Sequence, residues 1–163
     1  MAGNEVTMRS SYRHALAVLA GSIPFVLLTA IGETGAEPGG ASTLRVRVTG
    51  VRSDAGSVRI QLFDGPEGYP TKPGKALQRR STRITKGEAL VVFEGLAEGT
   101  YALFAFHDED GDGKVRSNFV GMPTEGVGAS NNAKGRMGPP SFKAASIRVA
   151  GEETVVAFSL RYL

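Results

Sequence analysis

Four acidic residues lie close together in the second half of the chain, and three of them alternate with other residues. Asp108, Asp110 and Asp112 occupy the first, third and fifth places of a calcium-binding loop, and Gly113 stands at the sixth place, where such loops turn sharply. Carboxylate oxygens at this spacing converge on a hard cation, which prefers oxygen ligands. A calcium site is therefore one interpretation of this segment.

The later part of the calcium-loop pattern fails. Lys114 offers only its carbonyl, Arg116 falls at the ninth place, and Phe119 stands where a bidentate glutamate belongs. Glu125 is the nearest downstream acid, and it could complete the ligand set only if the loop folds back. The alternative is a structural turn, in which aspartate side chains accept hydrogen bonds from nearby backbone amides and glycine takes a positive φ.

His107 directly precedes the acidic segment and is the second candidate for chemistry. A histidine beside Asp108 could act as a general base. A hydrolase would also need a positioned nucleophile, and no recognisable motif surrounds Ser117, Ser130 or Ser141. Because a lone histidine that ends a strand more often packs or caps, we predict no catalytic residue and a protein that is not an enzyme.

Three aromatic residues of the loop regions form a further candidate site. Tyr69, Phe119 and Phe142 could together provide an apolar platform for a sugar or a peptide. Each of them could equally anchor a loop over one end of the fold, and we favour that alternative.

The elements that must position these residues follow a period of two. Apolar and polar residues alternate along residues 44–48 and 58–62, and the turn signal at 53–56 predicts a hairpin between them. Residues 101–107 are apolar on both faces, which predicts a central strand covered above and below. Further strands are expected at 80–85, 89–93, 144–149 and 154–162.

This pattern predicts an all-β fold without a convincing helix. The economical arrangement is a single Greek-key or prealbumin-like β-sandwich of about seven strands, and a small closed barrel is the competing architecture. Residues 64–78 and 109–141 interrupt the spacing as two long loops. Loops of that length in a compact domain are commonly functional, so function is expected there.

The N-terminus has the order of a secretory signal. Arg9 and Arg13 precede an uncharged apolar stretch at 15–31, and small residues follow at 34–36. We predict a cleavable signal peptide at 1–36, a flexible lead-in at 37–43 and the β-sandwich domain at 44–163. The protein is then periplasmic or extracellular, with no stable membrane span after cleavage; a membrane anchor is the alternative.

The composition of the chain excludes several classes of protein. The chain has no cysteine, which excludes a disulfide framework and a lipid-modified N-terminal cysteine. Its 19 lysines and arginines exceed its 16 acids, but no basic run is longer than Arg79 and Arg80. Nucleic-acid binding normally requires a clustered basic patch, so no nucleic-acid partner is expected.

The long loop and its flanks carry a combined motif. Its members are His107, Gly113, Lys114, Gly121, Pro123, Gly128, Ser130, Asn131 and Asn132. With the flanking strands, this motif resembles a bacterial secreted family, the domain-of-unknown-function family 2141. The resemblance implies a small exported β-sandwich, similar to prealbumin-like and carboxypeptidase-regulatory-type domains, with no assigned reaction.

The chain departs from that family's pattern within the acidic loop. Asp110 and Asp112 stand where the family often has asparagine, which favours a cation site. Arg116 stands where an aspartate is common, which disfavours one. The resemblance therefore informs fold and export more than any site.

Together these features predict a non-enzymatic binding or structural module of the bacterial cell envelope, whose partner is an envelope component or a protein. A calcium-stabilised domain that binds carbohydrate or protein, with Asp108, Asp110, Asp112 and Glu125 as ligands, is the first alternative. A small hydrolase that uses His107 is the second. No cofactor is certain, and calcium is the candidate.

Overall fold

A computed structural model describes residues 41–163 of the chain, and these residues form eight β-strands. The predicted signal peptide and most of the lead-in lie outside the described residues. The strands are β1 Ser42–Thr49, β2 Ser57–Phe63, β3 Gln78–Thr82, β4 Ala89–Leu96, β5 Gly99–Asp108, β6 Val127–Ala129, β7 Ser146–Val149 and β8 Glu153–Ser159.

Helical structure in this part of the chain is confined to single turns. Two are 3₁₀ turns at Pro73–Lys75 and Ser130–Asn132, and one is the short helix α1, Phe142–Ala145. Among the described residues, no helix has the length and apolar character needed to cross a membrane.

The strands form two sheets. One has the order β4-β1-β8, with β1 and β8 parallel, and the other has the order β3-β2-β5-β6, with β7 also paired to β5. The remaining pairs are antiparallel. The predicted all-β sandwich is confirmed, with eight strands rather than about seven.

The apolar residues of the period-two alternation form the core between the sheets. Leu44, Val46 and Val48 of β1 are buried in one apolar cluster with alternate residues of β2 and β5. Full burial of a side chain of this kind stabilises the fold by about 1.5–3 kcal/mol. The arginines between them face solvent, as the alternation predicts.

The predicted hairpin of the first two strands is wrong. β1 and β2 lie in different sheets, where β1 pairs with β4 and β8 while β2 pairs with β3 and β5. The seven residues that separate them, 50–56, exceed a two-residue hairpin turn and can cross the roughly 10 Å between stacked sheets. Alternation tells which face is inside, but it does not tell which strand is the neighbour.

The predicted central strand is confirmed as β5, and it positions the candidate site. Its odd-numbered residues Tyr101, Leu103 and Ala105 face the core between the sheets. Because alternate residues point to opposite faces, His107 continues that inner row whereas Asp108 points to the outer face of the sheet. Both side chains are fully buried.

Several strand boundaries and one extra strand differ from the sequence predictions. β3 begins two residues earlier than predicted and ends at Thr82, and β8 ends at Ser159. Ala144 lies in α1 because the hydroxyl oxygen of Ser141 caps that turn by accepting the N–H of Ala144. The extra strand β6 has three residues, Val-Gly-Ala, too few to show alternation in the sequence.

Candidate functional site

The buried carboxylate of Asp108 begins the acidic turn. The Nε of Arg59, on the neighbouring strand β2, donates a hydrogen bond to its Oδ2 atom. The backbone N–H of Gly113 closes the turn by donating to both carboxylate oxygens, at 3.2 and 3.3 Å. Gly113 has φ +79°, and a Cβ there would lie 3.3 Å from the Arg59 guanidinium carbon. The positive φ favours a glycine at this position, and a Cβ would have little space beside Arg59.

The next two acids organise the backbone around them. Asp110 Oδ1 accepts the N–H of Asp112 at 3.2 Å, and Asp112 Oδ1 accepts the N–H of Lys114 at 2.7 Å. The guanidinium of Arg116 pairs with Asp110. These contacts are those of the structural turn considered above, in which aspartates bond nearby amides.

Glu125 folds back onto the turn. Its side chain is 3% exposed, and its two carboxylate oxygens accept the N–H groups of Glu109 at 3.2 Å and Arg116 at 3.0 Å. One buried carboxylate thus holds both sides of the loop. We call residues 116–124, which project from this carboxylate, the arm.

Three carboxylates converge at the base of the arm. One oxygen each of Asp108, Asp110 and Glu125 lies within 4.8 Å of the other two. Asp112 does not belong to this group, so the structure assembles three of the four predicted ligands. The set fits a hard cation by its oxygen chemistry, although Arg59 and Arg116 already offset part of the negative charge.

The tip of the arm is ordered by Asn118. Its side-chain oxygen accepts the N–H groups of Val120 at 3.1 Å and Met122 at 3.0 Å. Its own N–H donates to the Met122 carbonyl at 2.8 Å, and its carbonyl accepts the N–H of Gly121 at 2.9 Å. Gly121 has φ +80°, the left-handed conformation that this tight turn requires.

The side chains that this tip presents are apolar. Phe119 is 99% exposed, Val120 64% and Met122 46%. Below them, Ser117 bridges to Pro123 in antiparallel fashion. The arm is thus a hydrogen-bonded structure with three apolar side chains at its end, and we call these three residues the apolar tip.

His107 lies beneath the turn with both ring nitrogens engaged. Its Nε2 lies 2.7 Å from the Ala55 carbonyl, which can only accept, so this nitrogen carries the proton. Its Nδ1 lies 2.8 Å from the hydroxyl of Tyr162 and 3.3 Å from Oε1 of Glu109. A hydrogen bond from the Arg52 guanidinium holds the pKa of Glu109 below its ordinary value. No ring nitrogen is left to reach a substrate.

Four motif residues after the arm hold strands together. The buried hydroxyl of Ser130 bonds the backbone of Leu103 and Ala145. Asn131 and Asn132 both have positive φ, and their side chains bond the Ser146 carbonyl at 2.7 Å and the Ser159 N–H at 2.9 Å. A Cβ on Gly128 would lie 2.6 Å from the Ser159 carbonyl oxygen. These contacts make that part of the motif structural.

The aromatic residues do not form one platform. Tyr69 and Phe142 stack edge to face with ring centroids 5.8 Å apart, and Tyr69 packs in the same way on Phe63. Burial raises the pKa of the Tyr69 hydroxyl, which donates to the Leu103 carbonyl at 3.2 Å. This pair anchors loops over the outer face of the sheet, whereas the exposed Phe119 does not join it.

Several residues of this region escaped the sequence analysis. Arg59 was expected only on the polar face of its strand, Arg52 was given no role, and Tyr162 lies far from His107 in sequence. No local signal connects such residues, because strand pairing brings them together. Asn118 could have been found from the sequence. An asparagine side chain commonly accepts the backbone N–H of the residue two positions later and so forms this kind of turn.

Comparison with known proteins gives a family but no individual relative. Neither the curated proteins nor the solved structures contain a match to this chain. Residues 46–157 match the model of a family described as an uncharacterised protein conserved in bacteria, domain of unknown function 2141. The match covers β2 to β7 completely, half of β1, most of β8 and the whole arm. The chain therefore belongs to this bacterial family, as its motif predicted.

Proposed function

We propose that this protein is a non-enzymatic, exported module that binds a component of the bacterial cell envelope, with the arm as its contact element. One observation carries the proposal: a loop whose backbone is held in place displays Phe119, Val120 and Met122 to solvent. Single exposed apolar residues are common on protein surfaces, but three within four positions of an ordered turn are not.

The order of the arm supports binding rather than simple connection. A chain that needed only to link β5 to β6 would gain nothing by fixing a nine-residue projection, because fixing each residue costs about 1–2 kcal/mol of conformational entropy. The buried Glu125 and the Asn118 side chain offset that cost. A contact loop benefits from this order, because its shape is set before the partner arrives.

The surroundings of His107 support a non-enzymatic role. Its ring is fully buried, and both nitrogens have partners within the fold. Of the serines considered as nucleophiles, Ser130 is buried among backbone groups and Ser141 caps α1. Export rests on the predicted signal peptide at 1–36, and the family is bacterial.

Sedimentation of the purified protein with a washed bacterial envelope fraction tests the proposal. We expect the wild type to bind, and the double variant Phe119→Ser, Met122→Ser to bind at least about tenfold more weakly, because each apolar side chain contributes at least about 1.4 kcal/mol when buried. His107→Gln should stay within a few-fold of wild type. Equal binding of the double variant would contradict the proposal. A loss of several orders of magnitude in a folded His107→Gln protein would instead favour the hydrolase.

A calcium-stabilised binding module is the second candidate, and the convergence of Asp108, Asp110 and Glu125 favours it. Calcium at this point would compete with Arg116 for Asp110. With three carboxylates and no twelfth-place glutamate, affinity in the millimolar class is expected, as in extracellular modules.

Thermal unfolding in calcium and in chelator tests this candidate. At about 100 times the dissociation constant, bound calcium should stabilise the fold by about 2.7 kcal/mol and raise the melting temperature by several degrees. Asp110→Ala should abolish the shift, whereas the matched variant Asp112→Ala should keep it, because Asp112 lies outside the convergent group. Identical melting curves up to about 100 mM calcium, roughly 100 times a millimolar dissociation constant, would remove the cation site and leave the turn.

A further inference from the structure

We infer that the partner of the apolar tip is a lipid bilayer, into whose interface Phe119, Val120 and Met122 insert. The inference rests on the proposed function, since it names the envelope component that the arm contacts. It is carried by the size and shape of the tip, by the hydrogen bonds of its backbone and by the charges around it.

The size of the tip is too small for a stable protein interface. Three side chains of this kind offer only a few hundred Å² of apolar surface. A stable protein–protein interface buries about 800 Å² on each partner, with an apolar centre and a polar rim. The residues just below the tip, Ser117 and Thr124, are exposed and polar, so the apolar patch does not continue. A bilayer requires no larger patch, because apolar side chains that penetrate about 5–10 Å already bind.

Four of the five backbone N–H groups of residues 118–122 are paired within this turn, which suits an environment with little water. The N–H groups of Asn118, Val120, Gly121 and Met122 all donate to acceptors within the tip. In water these groups could bond solvent, so their internal pairing brings little advantage there. In a bilayer each unpaired group would cost several kcal/mol, and the pairing becomes a requirement. A protein pocket, in contrast, could supply acceptors of its own.

The charges near the tip are compatible with a lipid surface and predict a modest dependence on lipid charge. The two ionised residues between the acidic turn and the tip are Lys114 and Arg116, both cations. Arg116 pairs with Asp110, whereas Lys114 forms no ion pair within residues 41–163. Asp112 is exposed and likewise forms no ion pair within these residues, so it offsets the charge of Lys114 and leaves little net attraction to an anionic surface. Insertion of the tip, rather than charge, should therefore dominate the affinity.

The chain has no tryptophan, which makes the tip directly observable. Phe119→Trp places a single tryptophan there, whose fluorescence can be excited selectively over that of the four tyrosines. With vesicles of phosphatidylethanolamine and phosphatidylglycerol, we expect its emission to shift to the blue and to be quenched by lipids with brominated acyl chains. Phe119→Ser should lower the partition coefficient of the purified protein about tenfold.

Leu90→Ser is the matched control, because Leu90 is 66% exposed and lies on β4 in the other sheet. Its partition coefficient should stay within twofold of wild type. An equal loss in Leu90→Ser would show non-specific adsorption and overturn the inference, as would an unshifted, unquenched Phe119→Trp signal.

Failure of the inference can be separated from failure of the proposed function by a lipid-extracted envelope fraction. If the vesicles do not bind but the extracted envelope does, and Phe119→Ser weakens that binding, the contact element is right and its partner is a protein or a polysaccharide. If neither vesicles nor envelope material binds, the proposed function fails as well.

Discussion

Replacing Gly56 with alanine is expected to destabilise the domain by about 2–4 kcal/mol. Gly56 has φ +69°, a conformation that costs an L-residue about 1–2 kcal/mol. Its added Cβ would lie 2.1 Å from the Asp108 carbonyl oxygen and 2.8 Å from the Glu109 Cα. Overpacking of this kind typically costs 1–3 kcal/mol, and the buried end of β5 has little room to move. Denaturant unfolding of both proteins measures the difference.

Gly111→Ala provides the matched control for conformation alone. Gly111 has nearly the same φ, +77°, but no atom lies within 4 Å of the position that its Cβ would take. We therefore expect a loss of about 1 kcal/mol there. Equal losses in the two variants would mean that the contact between the 50–56 connection and the acidic turn does not stabilise the fold.

The Gly56 contact also shows which parts of the fold the sequence could predict. Alternation identified the buried faces of β1 and β2, and the doubly apolar stretch identified β5 as central. It could not identify the partners of β1, because period-two burial is the same in a hairpin and across a sandwich. The glycine at 56 was recognised as part of a turn, but its close approach to Asp108 depends on sheet packing.

The candidate site likewise contains local contacts that the sequence could predict and long-range contacts that it could not. The turn with aspartate-to-amide bonds was one of two interpretations of the Asp-x-Asp-x-Asp-Gly spacing, and such local contacts can be inferred from spacing. The return of Glu125 was stated as a condition, because a sixteen-residue separation from Glu109 carries no local signal. Arg59 reaches Asp108 only through the pairing of β2 with β5. Contacts of this kind follow from topology and not from motifs.

The residues that carry the family resemblance mostly build the loop rather than act at its surface. Gly113, Ser130, Asn131 and Asn132 satisfy backbone conformation and hydrogen bonds inside the domain. A motif of this sort identifies the fold well and function poorly. The exposed apolar side chain of Phe119 lies between these positions, and the sequence indicated it only as one member of a platform with Tyr69 and Phe142.

Replacing Glu125 with alanine is expected to cost about 2–4 kcal/mol and to release the arm. Its buried carboxylate accepts the backbone N–H groups of Glu109 and Arg116, and hydrogen bonds to a charged group contribute about 1.5–3 kcal/mol each. Part of that loss is recovered as the freed N–H groups reach water. The amides of residues 116–124 should then exchange with deuterium much faster than in wild type, because the opening free energy of this segment falls.

Two further variants decide whether the carboxylate itself holds the arm. Glu125→Gln keeps the shape but only one accepting oxygen, so its stability and its exchange rates should lie between those of wild type and Glu125→Ala. Thr124→Ala removes an exposed hydroxyl that lies 3.3 Å from the Arg116 carbonyl, and it should change stability by less than about 0.5 kcal/mol. If Glu125→Ala behaves like Thr124→Ala, the arm is held by the turn alone. The arm could also open in Glu125→Ala while vesicle binding stays at the wild-type level. The paired backbone of the tip would then not be needed for insertion. That result would remove the strongest physical argument for a bilayer partner.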